Sequence, residues 1–299
     1  MNVLEIQNLY KAFGTKEVLR GLNLTVPEHS IYGFVGMNGA GKTTTMKAVL
    51  GLLKIDEGEI YVCGEKVVFG QTATNNHIGY LPDVPEFYSF LTAREYLKLC
   101  GESLNMGKDE ISSRTNELLS LVGLDSEKGR IRGYSRGMKQ RLGIAQALLA
   151  RPRLLICDEP TSALDPVGRK EILDLLLSVK DQTTVLFSTH ILSDVERICT
   201  DVAFLNEGKI ALAGSVDELM KTRCNESFVV ELYDSSVVNQ IIAAFPEAKP
   251  DNANSIKFVG GDEEMYKLVD YLRENQISMH KIERSRASLE SLFMEVVNK

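Results

Sequence analysis

The chain has 299 residues, enough for one large domain or two moderate domains with a buried core. Its 34 basic and 41 acidic residues leave a formal charge of −7, which argues against a nucleic-acid-binding surface. The five cysteines have no paired metal-ligand spacing, and their odd number is typical of a protein in a reducing compartment.

The chain opens on a predicted strand, residues 1–6, and has neither the basic region nor the apolar stretch of a signal peptide. No window reaches 18 uninterrupted apolar residues. We therefore expect no membrane-spanning segment.

A glycine-rich loop follows an apolar run, residues 31–35, and leads into a predicted helix over 44–53. This strand–loop–helix context is that of a phosphate-binding P-loop. The glycines let successive N–H groups point into one concavity, and the helix N-terminus adds partial positive charge. The loop consists of Gly36, Met37, Asn38, Gly39, Ala40, Gly41, Lys42 and Thr43, and Thr44 follows it.

The end of this loop predicts a nucleoside triphosphate as the ligand. The Lys42 ammonium would reach the β- and γ-phosphates, and the Thr43 hydroxyl would bind Mg²⁺. A glycine-rich turn without a ligand is the alternative. The Lys and Thr in register after the last glycine argue against it.

Residues 154–157 are apolar and predict a strand buried on both faces, as in a parallel sheet. Asp158 ends this strand and is placed to act on Mg²⁺ through the water shell of the ion. Glu159 could polarise an attacking water. A strand that ends in two solvated acids is the alternative, but a P-loop chain requires such a Walker B carboxylate and no other run supplies it as well.

The segment before this strand would open an apolar helix over 142–149. Ser135 offers a hydroxyl, Gly137 permits close approach of the backbone, and a helix dipole follows. With this segment, residues 1 to about 220 resemble the nucleotide-binding subunit of ABC transporters. The segment reads Tyr134, Ser135, Arg136, Gly137, Met138, Lys139, Gln140, Arg141.

The resemblance implies an α/β P-loop NTPase of the ABC ATPase type, with a mixed or parallel core sheet, a β-subdomain and an α-helical subdomain. In that family a Leu-Ser-Gly-Gly-Gln signature contacts the γ-phosphate held by the opposite subunit. Ser135, Arg136, Gly137 and Met138 would do so here, in a homodimer or a heterodimer with a similar ATPase. Tyr134, Arg136 and Met138 depart from the family signature, and this form resembles exporters whose membrane subunits are separate chains.

Three further segments resemble family loops. Ser162 to Asp165 is similar to the D-loop across the dimer interface, and His190 is similar to the switch histidine that hydrogen-bonds the γ-phosphate and orients the attacking water. Phe13, in a segment that starts at Tyr10, is similar to the aromatic residue that stacks on adenine. Packing of Phe13 within the β-subdomain is the alternative.

Asp83 stands where the family usually has a Gln that links the nucleotide core to the helical subdomain. A carboxylate can ligate Mg²⁺, although it is shorter than Gln and donates no hydrogen bond. The metal ligands implied are therefore Thr43, Asp83 and Asp158.

Residues 222–299 have a different character from the ATP-binding region at 1–221 and predict a small α+β accessory domain. Their β-α-β-α-β-α order suggests a ferredoxin-like unit. The last helix carries an apolar stripe that serves either core packing or contact with a second subunit. The stripe consists of Leu289, Leu292, Phe293, Val296 and Val297.

The function that the resemblance implies is that of an ATP-hydrolysing motor of an ABC exporter for a drug, an antimicrobial peptide or a similar cargo. It would use ATP and Mg²⁺ and bind separate transmembrane permease subunits at the cytoplasmic face of the cell membrane. An importer motor or a non-transport ABC ATPase is the alternative. A P-loop kinase would share the phosphate loop but would not account for the signature and the D-loop.

Overall fold

A computed structural model describes residues 1–71, 73–223, 227–285 and 288–297, with the backbone alone at 222, 223, 285 and 295–297. The chain forms two compact units, Met1–Val216 and Asp217–Glu295. Helix α7, Val216–Arg223, begins at the boundary between them, so the boundary expected after residue 221 lies within this helix.

The first unit is built on a six-stranded sheet whose strands run in the order β10-β9-β3-β8-β7-β6. All neighbouring pairs are parallel except β9 and β10, which form an antiparallel hairpin. The carboxyl ends of β3, β7 and β8 therefore meet at one edge, where α/β sheets bind their ligands. The strands are β3 (Ile31–Gly36), β6 (Ile78–Leu81), β7 (Leu154–Asp158), β8 (Thr184–Thr189), β9 (Asp201–Asn206) and β10 (Lys209–Ser215).

A second, antiparallel sheet in this unit has the order β2-β1-β4-β5. Apolar side chains of both sheets share one core, which includes Leu4, Phe34 and Ile156. Strands β3, β7 and β8 are buried along their whole length, which explains why their central residues are apolar. The strands of the second sheet are β1 (Asn2–Phe13), β2 (Lys16–Pro27), β4 (Glu57–Val62) and β5 (Glu65–Lys66).

The helices of this unit follow the predicted pattern with shifted ends. The helix after the signature begins at Arg136 rather than at residue 142, because Ser135 caps it by accepting a hydrogen bond from the Met138 N–H. The helix after the P-loop ends at Val49, short of residue 53. The helices are α1 (Lys42–Val49), α2 (Ala93–Ser103), α3 (Lys108–Leu121), α4 (Arg136–Ala147), α5 (Pro166–Ser178) and α6 (Leu192–Ile198).

The second unit is an antiparallel sheet of order β12-β13-β11-β14 with a β-α-β-β-α-β chain path, which is the ferredoxin-like arrangement. Strand β12 is absent from the predicted pattern because all four of its residues are exposed and it has no apolar alternation. The elements are β11 (Ser227–Leu232), α8 (Val238–Ala244), β12 (Lys249–Asn252), β13 (Ser255–Val259), α9 (Asp262–Glu274), β14 (Met279–Ser285) and α10 (Leu289–Val297).

Of the predicted apolar stripe on α10, Leu289 and Leu292 are buried. The side chains of Val296 and Val297 lie outside the described residues. None of the helices in the described part of the chain is both long enough and apolar enough to cross a membrane.

An aromatic cluster makes the core of the second unit testable. Phe258 is 1% exposed, stacks on Phe228 at 5.0 Å between ring centroids and meets Phe245 edge-on at 5.7 Å. Phe258→Ala should lower the free energy of unfolding by about 3–5 kcal/mol, because it removes a buried ring and leaves a cavity. Tyr266→Ala, at a side chain 62% exposed, should change it by about 0.5 kcal/mol or less. Equal losses for both variants in urea unfolding would contradict this packing.

Candidate functional site

The glycine-rich loop connects β3 to α1, and its last glycine accounts for its shape. Gly41 has φ of +116°, and a Cβ there would lie 2.8 Å from Leu19 Cδ2. Both the conformation and the close approach therefore require glycine. Helix α1 starts at Lys42, so its first backbone N–H groups have no intrahelical partner and can bind an anion.

A cavity of about 350 Å³ lies against this loop. It brings together the two predicted anchors, since Lys42 and Thr43 come from the loop and Asp158 and Glu159 from the end of β7. Asp83 reaches the same cavity. The lining residues are Val18, Met37, Asn38, Gly39, Gly41, Lys42, Thr43, Thr44, Asp83, Asp158 and Glu159.

The Lys42 ammonium is buried, with only 6% of the side chain exposed. It donates a hydrogen bond to the Gly36 carbonyl at 2.7 Å and forms an ion pair with Glu159 Oε1 at 3.2 Å. A buried charge requires a partner of opposite sign. A phosphate in this cavity would therefore compete with Glu159 for the ammonium.

Asp158 is oriented by two hydroxyl groups. Its Oδ2 accepts a hydrogen bond from Thr43 Oγ1 at 2.8 Å, and its Oδ1 accepts one from Ser188 Oγ at 2.5 Å. Ser188 reaches Asp158 because β7 and β8 are neighbouring strands in which these two residues lie opposite each other. The Asp158 carboxylate is thus held at the carboxyl edge of the sheet, beside the P-loop hydroxyl.

Glu159 has φ of +49°, an unusual conformation for a residue with a long side chain. Its N–H donates to Ser188 Oγ at 3.0 Å, and its Oε2 lies 2.9 Å from His190 Nδ1. Backbone strain of this kind clusters at functional sites. His190 therefore meets the predicted catalytic carboxylate, although it is not among the residues that line the cavity.

Asp83 has mixed surroundings. Gln140 Nε2 donates to its carbonyl oxygen at 2.9 Å, and Arg136 forms an ion pair with Oδ1 at 3.6 Å. Oδ1 is buried and has no hydrogen-bond partner among the described residues. Burial raises the pKa of the Asp83 carboxyl; Arg136 opposes this effect, and Asp158 and Glu159 add to it.

The remaining signature and D-loop residues serve local structure within the chain. Ser135 caps α4, and Asp165 caps α5 by accepting from the Gly168 N–H at 3.1 Å. The Ser162 N–H closes a turn by donating to the Glu159 carbonyl at 3.0 Å. The described lining of the cavity includes neither Ser135 nor Asp165.

Phe13 lies at the end of β1 with 51% of its surface exposed, and the Lys11 ammonium sits 5.3 Å from its ring centroid. The cavity is lined instead by Val18, which sequence reasoning missed because an isolated Val in an apolar strand carries no functional signal. Val18 reaches the loop because β2 packs beside Gly41.

A larger cavity of about 940 Å³ is separate from the phosphate cavity. We call it the β6–α2 groove. Its lining includes Ile78, Gly79 and Tyr80 of β6, together with Tyr88, Tyr96, Leu99, Cys100, Leu104, Glu110, Gln146 and Arg151. Tyr88, Leu99 and Leu104 remain 57%, 39% and 50% exposed.

Comparison with known proteins identifies the family of this chain. Residues 19–162 match the model of the family described as ABC transporter. An uncharacterised ABC transporter ATP-binding protein of Bacillus subtilis (strain 168), YxlF, is 36% identical over 307 aligned residues, which cover 99% of this chain and 100% of that protein. The chain belongs to the ABC transporter ATP-binding proteins.

Two further likenesses cover different shares of this ABC protein. The bacitracin transport ATP-binding protein BcrA of Bacillus licheniformis is 36% identical and covers 99% of the chain and 97% of its own length. A solved ATP-binding subunit of an ABC transporter is 30% identical with a TM-score of 0.66, and the match covers 74% of this chain and 93% of that chain. The predicted P-loop NTPase fold of the ABC type is thereby confirmed.

The surroundings of Asp83 predict an unusual pH dependence. The pKa of the Asp83 carboxyl is higher in the folded chain than in the unfolded chain. The charged carboxyl therefore lowers the stability of the fold above the folded pKa. This loss of stability disappears as the pH falls below the unfolded pKa of about 3.9. Asp83→Asn should therefore raise the Tm at about pH 7 in EDTA, and its advantage should shrink toward about pH 4.

Asp56 provides the matched control with the opposite sign. A hydrogen bond from the Lys11 ammonium, and one from the Ala12 N–H, lower the pKa of this carboxyl. The charged form then stabilises the fold above the unfolded pKa, and that stability is lost as the pH falls through the folded pKa. Asp56→Asn should lower the Tm at about pH 7, so shifts of the same sign in both variants would contradict the assignment.

Proposed function

We propose that the chain is the ATP-hydrolysing motor of an ABC exporter, working with separate transmembrane permease subunits at the cytoplasmic face of the cell membrane. The observation that carries this proposal is the convergence of Lys42, Thr43, Asp158 and Glu159 in one cavity. These groups are a phosphate-binding cation, two oxygen ligands and a carboxylate base. No feature of the site favours a nucleic acid as a partner.

The donor set of the cavity fits Mg²⁺. Thr43 Oγ1, Asp158 Oδ2 and Asp83 Oδ1, which accepts no hydrogen bond from the described residues, are hard oxygen ligands. Within the described ranges, no group of three or more His, Cys, Asp and Glu side chains could hold a metal by itself. That agrees with Mg²⁺, which ordinarily combines one or two carboxylates with substrate phosphates. When bound, the ion would neutralise charge on the phosphates.

The steps assigned to the protein follow from the contacts of Lys42 and Glu159. Lys42 and the amides of residues 36–43 bind the β- and γ-phosphates, so Lys42 exchanges Glu159 for phosphate oxygens. Glu159, released from the ammonium, accepts a proton from the attacking water. His190, which contacts Glu159 at 2.9 Å, donates to the γ-phosphate and orients the base. Phe13 stacks on the adenine.

A second chain completes the site in this proposal. Ser135, Gly137 and Met138 are outside the described lining of the cavity in their own chain. The N-terminus of α4 offers backbone N–H groups at that segment, which suits a γ-phosphate presented by a partner. Ser162 and Asp165 of the D-loop lie across the same dimer interface. Two chains clamping two ATP molecules form a ligand-driven switch.

We favour export over import because the signature segment, residues 134–141, resembles that of exporters whose membrane subunits are separate chains. The match to the bacitracin transport protein covers 99% of the chain and so includes the ferredoxin-like unit. A drug, an antimicrobial peptide or a similar molecule is the cargo class proposed on this ground. An importer motor is the second candidate, supported by the same phosphate site.

The β6–α2 groove is the proposed docking surface for a cytoplasmic segment of the permease. Its floor is β6, and Asp83, two residues beyond this strand, lines the phosphate cavity. A segment seated there would sense the same loop that meets the nucleotide. Exposed Tyr88, Leu99 and Leu104 offer apolar contact, as expected of an interface.

Glu159→Gln tests the assignment of the base. The variant keeps the size of the side chain but accepts no proton, so turnover should fall by about 10²-fold or more while Mg-ATP binding is retained. Lys42→Ala should instead lose binding, because it removes a phosphate contact. Both are measured by ATP hydrolysis and by titration with a fluorescent ATP analogue. Wild-type turnover by Glu159→Gln would refute the assignment.

Leu104→Glu tests the docking surface. A charge in the β6–α2 groove should reduce co-purification with a co-expressed candidate permease by about tenfold or more, because it would be desolvated at the interface. ATP binding by the isolated chain should not change. Leu177→Glu, on α5 at a side chain 40% exposed, is the control. If only Leu177→Glu reduced co-purification of the permease, the docking surface would lie outside the β6–α2 groove.

A further inference from the structure

Asp194 is a buried carboxylate that the mechanism above does not use. It lies in α6, four residues after His190, and is 1% exposed. Its Oδ2 accepts a hydrogen bond from Thr161 Oγ1 at 2.7 Å, and its Oδ1 accepts one from Arg169 Nε at 2.6 Å. Three separate segments therefore meet at one carboxylate.

The Thr161 hydroxyl holds the turn that carries Glu159. This turn starts at the strained Glu159 and is closed by the Ser162 N–H on the Glu159 carbonyl. Thr161 is its third residue and is 1% exposed. A hydrogen bond from Thr161 to Asp194 thus anchors this turn to α6.

Asp194 also belongs to the segment that carries His190. Its own N–H donates to the Ile191 carbonyl at 3.2 Å, and the Ile191 N–H donates to Thr189 Oγ1 at 3.0 Å. Short backbone contacts therefore connect Asp194 to the end of β8. The hydrogen bond from Thr161 to Asp194 therefore joins the same two segments as the contact between Glu159 and His190.

Arg169 makes the burial of this carboxylate tolerable. Its Nε donates to Asp194, and the Nη2 of the same guanidinium donates to Ser193 Oγ at 2.8 Å. A buried carboxylate with no cation beside it would be strongly destabilising. The guanidinium also anchors the bridge to α5, the helix that follows the D-loop.

We propose that Asp194, through Thr161 and Arg169, is a positioning residue that sets the placement of Glu159 relative to His190 during ATP hydrolysis. This proposal rests on the proposed function. It assigns to Asp194 no contact with the nucleotide, so its loss should affect turnover and leave ground-state binding in place. A misplacement of about 1 Å in a catalytic group costs up to ~10²-fold in rate.

Thr161→Val and Thr161→Ser form the matched pair that tests the bridge. Valine keeps the shape of threonine and removes the hydroxyl, whereas serine keeps the hydroxyl. In the full chain, Thr161→Val should lower kcat for Mg-ATP by about tenfold or more with KM within about twofold. Thr161→Ser should stay within about twofold of wild type. Asp194→Asn should behave like Thr161→Val.

Asp174→Asn is the control for the loss of any ion pair between α5 and α6. Asp174 and Arg197 also join α5 to α6, at 2.7 Å, but in an exposed position. This variant should leave kcat and KM unchanged. Wild-type kcat in Thr161→Val and Asp194→Asn would overturn the proposal, and so would an equal loss of kcat in Asp174→Asn.

Hydrogen–deuterium exchange separates this proposal from the proposed function. Amides of residues 158–165 should exchange faster in Thr161→Val than in wild type or in Thr161→Ser, because the turn has lost its anchor. If these amides exchanged at the wild-type rate in Thr161→Val, the positioning role of the Thr161–Asp194 bond would be refuted, whether or not the chain hydrolyses ATP. A wild-type chain that fails to hydrolyse Mg-ATP would instead overturn the proposed function.

Discussion

The buried ammonium of Lys42 is the constraint on which the site depends. An almost fully buried cation requires anionic or carbonyl oxygens around it, and Gly36 and Glu159 supply them. In the proposed function, phosphate oxygens meet the same requirement when ATP binds. In the proposed mechanism, phosphate binding and release of the base are thus one event, because both groups compete for a single ammonium.

The parallel sheet brings these groups together. Strands β3, β8 and β7 are neighbours, and their carboxyl ends and the residues that follow carry the loop amides, His190 and the two carboxylates. The register that places Ser188 opposite Asp158 also supplies the hydroxyl that orients both acids. The geometry of the candidate site is therefore largely a consequence of strand pairing.

The segments that meet at the phosphate cavity could be predicted from the sequence because their residue spacing is local. The spacing of Gly41, Lys42 and Thr43 and the buried strand before Asp158 each describe a continuous segment. Strand β12 could not be predicted, because its polar residues are held by backbone pairing to β13. The Thr161–Asp194–Arg169 bridge joins residues that are 33 and 25 positions apart, a distance that no local pattern reports. The predicted start of α4 at residue 142 was wrong. The helix begins at Arg136 because the Ser135 cap stabilises its N-terminus, whereas the apolar spacing begins later.

The most direct test of this account is a crystal structure of the wild-type chain with Mg²⁺ and a non-hydrolysable ATP analogue. The account predicts β- and γ-phosphate oxygens within about 3.2 Å of Lys42 Nζ and of the amides of the 36–43 loop. It also predicts that the Glu159 carboxylate has separated from the ammonium. A structure that keeps the ion pair between Lys42 and Glu159, with the nucleotide bound elsewhere, would contradict it.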